Sequence, residues 1–77
     1  MTIGFVLIIT HPGMEHTVYS DLSEIDEVAE VHPLFGEYDI IAKVIPGKNE
    51  DLGMVVVDKI RTISGISDTK TLSGIRF

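Results

Sequence analysis

The chain has 77 residues, enough for one domain and too few for two. Hydrophobic residues make up 44% and charged residues 23%, a folded chain's balance, and the lack of cysteine excludes disulfides and thiolate metal sites as supports for so small a core. Twelve acidic against six basic side chains give a net charge of −6, which argues against duplex nucleic acid or an anionic membrane as a direct partner.

Oligomerisation is the remaining route to a sufficient core. The run Ile3 to Ile9 has the length of a signal-peptide core, but no Lys or Arg precedes it and no small-residue cleavage site follows. It is too short to span a bilayer. It reads as a strand over Thr2–Thr10, apolar on both faces, in a cytoplasmic protein. His11-Pro12-Gly13 ends it. Met14, Val18, Leu22 and Ile25 then recur at spacings of four, four and three, one stripe of a helix with Glu15 in its first turn.

A second strand is expected over Val28–Leu34, with Ala29, Val31, Pro33 and Phe35 on one face and Glu30 and His32 on the other. Pro33 cannot donate to a ladder, so this strand belongs at an edge. Phe35-Gly36-Glu37 reads as a tight reversal. A third strand follows over Tyr38–Ile45 and stops at Pro46-Gly47. Asn49 is the expected N-cap of a second helix, whose apolar stripe is Leu52, Val56, Ile60 and Ile63. Gly65 suits its C′ position. The last strand, Ile66–Phe77, is mostly polar and fits the other edge.

The order β-α-β-β-α-β predicts an α+β, ferredoxin-like fold with a four-stranded antiparallel sheet and both helices on one face. In that arrangement the first and third strands are central, and here they are the most apolar. Two helices cover only one face. The other would expose an apolar patch larger than soluble monomers tolerate, so a second copy is expected to pack there, sheet against sheet, as a dimeric α+β barrel.

The stretch Asp26–Val44 carries a valine-rich strand, then Gly36-Glu37-Tyr38-Asp39, then an apolar strand. Ser64–Thr71 carries Gly65-Ile66 followed by the pair Thr69 and Thr71. These segments, with the element order, resemble the RAM domain, the effector-binding half of the leucine-responsive and asparagine (Lrp/AsnC, feast/famine) transcriptional regulators. Full-length members carry an N-terminal helix-turn-helix, whereas the first strand here begins at Thr2. The chain therefore looks like a stand-alone member that does not bind DNA itself. The resemblance implies dimers that assemble further, between tetramer and decamer, with a free amino acid bound in clefts between them. A full-length family regulator is an implied partner.

Gly36, Glu37, Tyr38 and Asp39 form the first candidate site. A free amino acid needs an acid for its ammonium and N–H or hydroxyl donors for its carboxylate. Asp39 supplies the one, and a glycine turn exposes N–H groups for the other. The same residues also read as an ordinary solvated turn. Only the resemblance favours Gly36 and Asp39 as effector contacts. Thr69 and Thr71 form the second candidate, since residues two apart on a strand share a face. Threonine is equally a common edge-strand residue.

His11 and His16 lack the i, i+4 spacing of a helical metal pair, and His32 sits on an edge strand, either solvated or at an oligomer contact. No metal or cofactor is expected. Neither a nucleophile elbow nor a phosphate loop is present. The leading function is therefore a non-enzymatic amino-acid-binding and oligomerisation module that modulates Lrp/AsnC-type regulation. The alternatives are a small monooxygenase-like barrel enzyme and a purely structural assembly module.

Overall fold

The computed structural model describes residues 2–75. Its elements in chain order are β1 (Gly4–Thr10), α1 (Glu15–Ser23), β2 (Val28–Pro33), β3 (Ile40–Val44), α2 (Leu52–Val55) continuing as a π-helical turn (Val56–Ile60), and β4 (Ile66–Ser73). The sheet order is β2-β3-β1-β4, and every neighbouring pair is antiparallel. This is the ferredoxin-like arrangement, with the two most apolar strands at the centre. The last strand ends at Ser73, short of its expected span: Gly74 and Ile75 are not strand, and 76–77 lie outside the described residues.

The core forms where the central strands meet the helices. Val6 and Ile8 of β1 and Ile40, Ala42 and Val44 of β3 are buried against Val18 and Leu22 of α1. Leu52, Val55, Val56 and Ile60 complete it from the second helical segment. Both helices therefore cover the same sheet face.

Several boundaries differ from the sequence expectation, each for a local reason. In β2 the register shifts between Val28 and Glu30, so Val28 pairs with Val44 and Val31 with Ala42. The inserted residue of this bulge, Ala29, is exposed, and Val28 takes its place on the helix side with Val31. The second helix is capped by Asp51, not Asn49. Asp51 lies in extended backbone just before Leu52, and its carboxylate accepts the Gly53 N–H at 2.9 Å.

The helix stripe also shifts. Val55, Val56 and Val57 are three β-branched residues in a row, which crowd an α-helix. The chain widens into a π turn in which the Arg61 N–H donates to the Val56 carbonyl at 2.8 Å. Val55 and Val56 are then both buried, while Ile63 is only partly packed.

Gly65 is not the helix C′ residue, because the helical segment ends at Ile60. It has φ +101, its carbonyl accepts the His11 N–H at 2.8 Å, and an added Cβ would meet Met14 and Val18 at 3.0 Å. Gly65→Val therefore combines a left-handed backbone with a crowded contact. It is expected to cost about 2 kcal/mol or more in urea unfolding.

The opposite sheet face has no helix over it. Two rungs define it by register: Glu30–Lys43–Phe5–Leu72 and His32–Ile41–Leu7–Lys70. Phe5, Leu7 and Ile41 make its centre mainly apolar beside Lys43, with Phe5 37% exposed, and Leu72 on the edge strand β4 is 46% exposed. Its β2 margin is polar, where Glu30 binds Lys43 at 3.4 Å and His32 at 3.0 Å.

Candidate functional site

The β2–β3 connection is wider than a tight reversal. Leu34 to Asp39 form a loop closed by the Leu34 N–H donating to the Asp39 carbonyl at 2.8 Å. Gly36 sits in it at φ +145, a backbone that side-chain-bearing residues avoid. Phe35 and Glu37 are exposed, and Tyr38 is half-buried in the loop rather than on β3.

Asp39 fastens this loop to the sheet. Its N–H donates to the Ile8 carbonyl at 2.9 Å. Its Oδ2 accepts the Thr10 N–H at 2.9 Å and the Thr10 hydroxyl at 3.3 Å. Thr10 lies beyond the last β1–β3 pair, Ile8 with Ile40, so the carboxylate takes up a backbone N–H that this ladder does not pair. One oxygen of the expected ammonium-binding acid is thus already engaged, and Oδ1 remains.

A cavity of about 320 Å³ opens beside it, lined by Asp39, Pro33 and Ile40 together with Glu15, His16 and Tyr19 of α1. The three helical residues were not foreseen as site residues. Their signal was in the sequence: His16 and Tyr19 lie three apart and Glu15 and Tyr19 four apart, a polar and aromatic stripe beside the apolar one. Two carboxylates, an imidazole and a phenol thus surround an otherwise apolar hollow, a composition suited to a small zwitterion.

Thr69 and Thr71 lie elsewhere. They pair with Ile8 and Val6, so both stand on the helix side of edge strand β4. Thr71 lines a second, wider cleft of about 1050 Å³ with Ser73, Thr2, Lys48, Glu50 and Asp51. The two cavities share no residue. Ile40 and Thr69 both pair with Ile8, which separates them by two strand spacings, about 10 Å. One chain does not unite its two candidate groups.

The strongest charged cluster lies away from both candidates. Glu27, just before β2, has a side chain 10% exposed; its Oε2 pairs with Lys59, and Glu50 lies 3.6 Å from the same lysine. Glu27 Oε1 is buried with no partner among the described residues. The hydrogen bond from Lys59 holds the Glu27 carboxyl below the usual glutamate range, and Glu27 raises Lys59 in turn. His32 and then Lys43 similarly lower Glu30.

In class, the chain is a small ferredoxin-like α+β domain with a ligand-sized hollow where its first helix meets the sheet. Residues 3–75 match the family model of the Lrp/AsnC ligand binding domain, and the chain belongs to that family. It is 38% identical over 74 residues to a helix-turn-helix-type transcriptional regulator of Pyrococcus furiosus, covering 92% of this chain and 49% of the regulator. The chain spans about half the length of the curated relatives it matches.

Solved structures agree. A Thermus thermophilus protein superposes with a TM-score of 0.89 at 32% identity, covering 100% of this chain and 96% of its own. Escherichia coli AsnC superposes at 0.87 with 30% identity, covering 99% of this chain and 52% of AsnC. Among the described residues no helix is long and apolar enough to cross a membrane.

Proposed function

We propose that this chain is a non-enzymatic effector-binding module that takes up a free amino acid and couples its binding to assembly. The carrying observation is the hollow at Asp39 within a ligand-binding-domain family member. The free oxygen of Asp39 and the Glu15 carboxylate face an ammonium, and His16 and the Tyr19 hydroxyl face a carboxylate. Gly36, Glu37 and Tyr38 shape the loop that carries Asp39. The basic unit is a dimer formed by the apolar sheet faces, and Thr69 and Thr71 reach the ligand only from a neighbouring copy. The dimers assemble further, up to a tetramer-to-decamer range. The module works in the cytoplasm without contacting DNA, and it acts on a full-length family regulator by forming mixed oligomers.

A thermal-shift screen of the twenty amino acids tests this reading. A ligand at one hundred times its dissociation constant stabilises the folded chain by about 2.7 kcal/mol. Asp39→Asn is expected to lose the shift, and also some basal stability through its bond to Thr10. Glu15→Gln, which keeps that bond, is expected to weaken the shift alone. No shift for any amino acid would favour the structural assembly module, a reading supported by the engagement of Asp39 Oδ2 with Thr10.

A further inference from the structure

The two edges of the sheet meet solvent differently. On β2 the register shift between Val28 and Glu30 breaks the outer line of backbone groups, and Pro33 has no N–H. On β4, eight residues run from Ile66 to Ser73 without a proline, and the register with β1 is regular from Asp68 onward. Backbone groups alternate sides along an antiparallel strand. The Gly74 N–H donates to the Ile3 carbonyl at 2.7 Å, so Leu72 and Lys70 also turn their backbone groups toward β1. Thr69, Thr71 and Ser73 turn theirs outward. The Asp68 carboxylate takes the Thr69 N–H at 2.8 Å. The outward N–H groups of Thr71 and Ser73 have no partner among the described residues.

The wide cleft of about 1050 Å³ lies against this same stretch. Thr71 and Ser73 line one side of it, and the 46–53 segment lines the other. An open strand edge beside a polar trough suits an extended peptide. The edge pairs with the peptide backbone, and the trough takes every second side chain. From Thr69 to Ser73 the edge runs about 13 Å, the length of five extended residues.

We propose that β4 is a docking edge for an extended segment of another protein that carries lysine or arginine at alternate positions. The charge of the cleft sets this chemistry. Glu50 and Asp51 each engage one oxygen, on the Gly47 and Gly53 N–H groups at 2.7 and 2.9 Å, and keep their negative charge. Lys48 is the one base among the described residues lining the cleft, so acids outnumber bases two to one. The chain as a whole stands at −6. A second copy brings that same net charge, and its own β4 carries Asp68 beside the pairing groups. A basic strand meets attraction instead. The inference does not rest on the effector reading. Where Thr71 serves a neighbouring copy's ligand, the peptide and that neighbour exclude each other.

The probe is a blocked hexapeptide of alternating valine and lysine, followed by fluorescence anisotropy as the full chain is titrated in. One control peptide has glutamate for lysine. Two others keep the lysines and carry N-methyl groups on every second backbone amide, one in each phase. The lysine peptide is expected to bind and to slow hydrogen exchange at the Thr71 and Ser73 amides. Methylation in one phase is expected to weaken it about tenfold, the loss of the backbone pairing, and in the other phase to leave it unchanged. The glutamate peptide is expected to bind about tenfold more weakly or worse. Thr71→Pro removes an outward N–H and no bond to β1, so it is expected to weaken the lysine peptide about tenfold at an unchanged melting temperature. Lys48→Glu, off the strand, is expected to tighten it about threefold.

Four results overturn the proposal: no binding at millimolar peptide, the same affinity for both methylated phases, a glutamate peptide that binds as well, or wild-type binding by Thr71→Pro. Self-association that Thr71→Pro abolishes, in a chain that binds no peptide, makes a second copy the occupant and overturns it too.

Discussion

Leu7→Asp is expected to abolish the dimer. Leu7 stands at the middle of the uncovered sheet face, between Ile41 on β3 and Lys70 on β4. In the proposed dimer that position is sealed by the partner's sheet. An unpaired carboxylate there costs several kcal/mol, and symmetry applies the cost twice. Dimerisation weakens by on the order of 10³-fold or more. Sedimentation equilibrium at micromolar concentration should then report the monomer mass, with a lower and concentration-independent melting temperature. A substitution at the polar margin, His32→Gln, should leave the mass unchanged, because His32 is already 60% exposed and partnered by Glu30.

Lys59→Met is expected to destabilise the fold more than the double variant Glu27→Met with Lys59→Met. The single change strands the nearly buried Glu27 carboxylate, whose Oε1 already lacks a partner among the described residues. Removing both charges together leaves no ion to desolvate. The pH dependence fixes the sign. Glu27 and Glu30 are lowered in the fold, so their contribution is present above the ordinary glutamate range and is lost as pH falls through their folded values. Lys59 is raised, so its contribution is present below the ordinary lysine range and is lost as pH rises through its folded value.

Lys59→Met should therefore flatten the alkaline limb of stability. Its deficit against the wild type should also shrink in acid, where Glu27 becomes neutral. Urea unfolding at three pH values measures both effects. A single variant no less stable than the double one would remove the interior charge from the account.

The same contrast between chain-local and through-space causes explains what the sequence revealed. The central position of β1 and β3 was legible because both are apolar on both faces, and Pro33 marked β2 as an edge. Helix α1 was legible in Met14, Val18 and Leu22. The bulge at Ala29 was not, since one inserted residue changes the facing of a strand without changing its composition. Asp51 displaced Asn49 as the cap because both residue types cap well, and only the backbone path chooses between neighbours two apart.

The candidate site was legible in part. Asp39 and Gly36 stand out in the chain, but the bond from Asp39 to Thr10 spans 29 residues and arises only when β3 pairs with β1. Glu15, His16 and Tyr19 do not stand out in the chain, because the apolar stripe of α1 dominates its pattern. Thr69 and Thr71 share a strand face as expected, yet the sheet order places β1 between them and Asp39.

Absolute molar mass by light scattering, at micromolar protein and without ligand, tests most directly whether a second chain covers the bare sheet. The account predicts at least twice the 8.5 kDa chain mass. A single, stable population at the chain mass, with Phe5, Leu7 and Ile41 facing water, would contradict it.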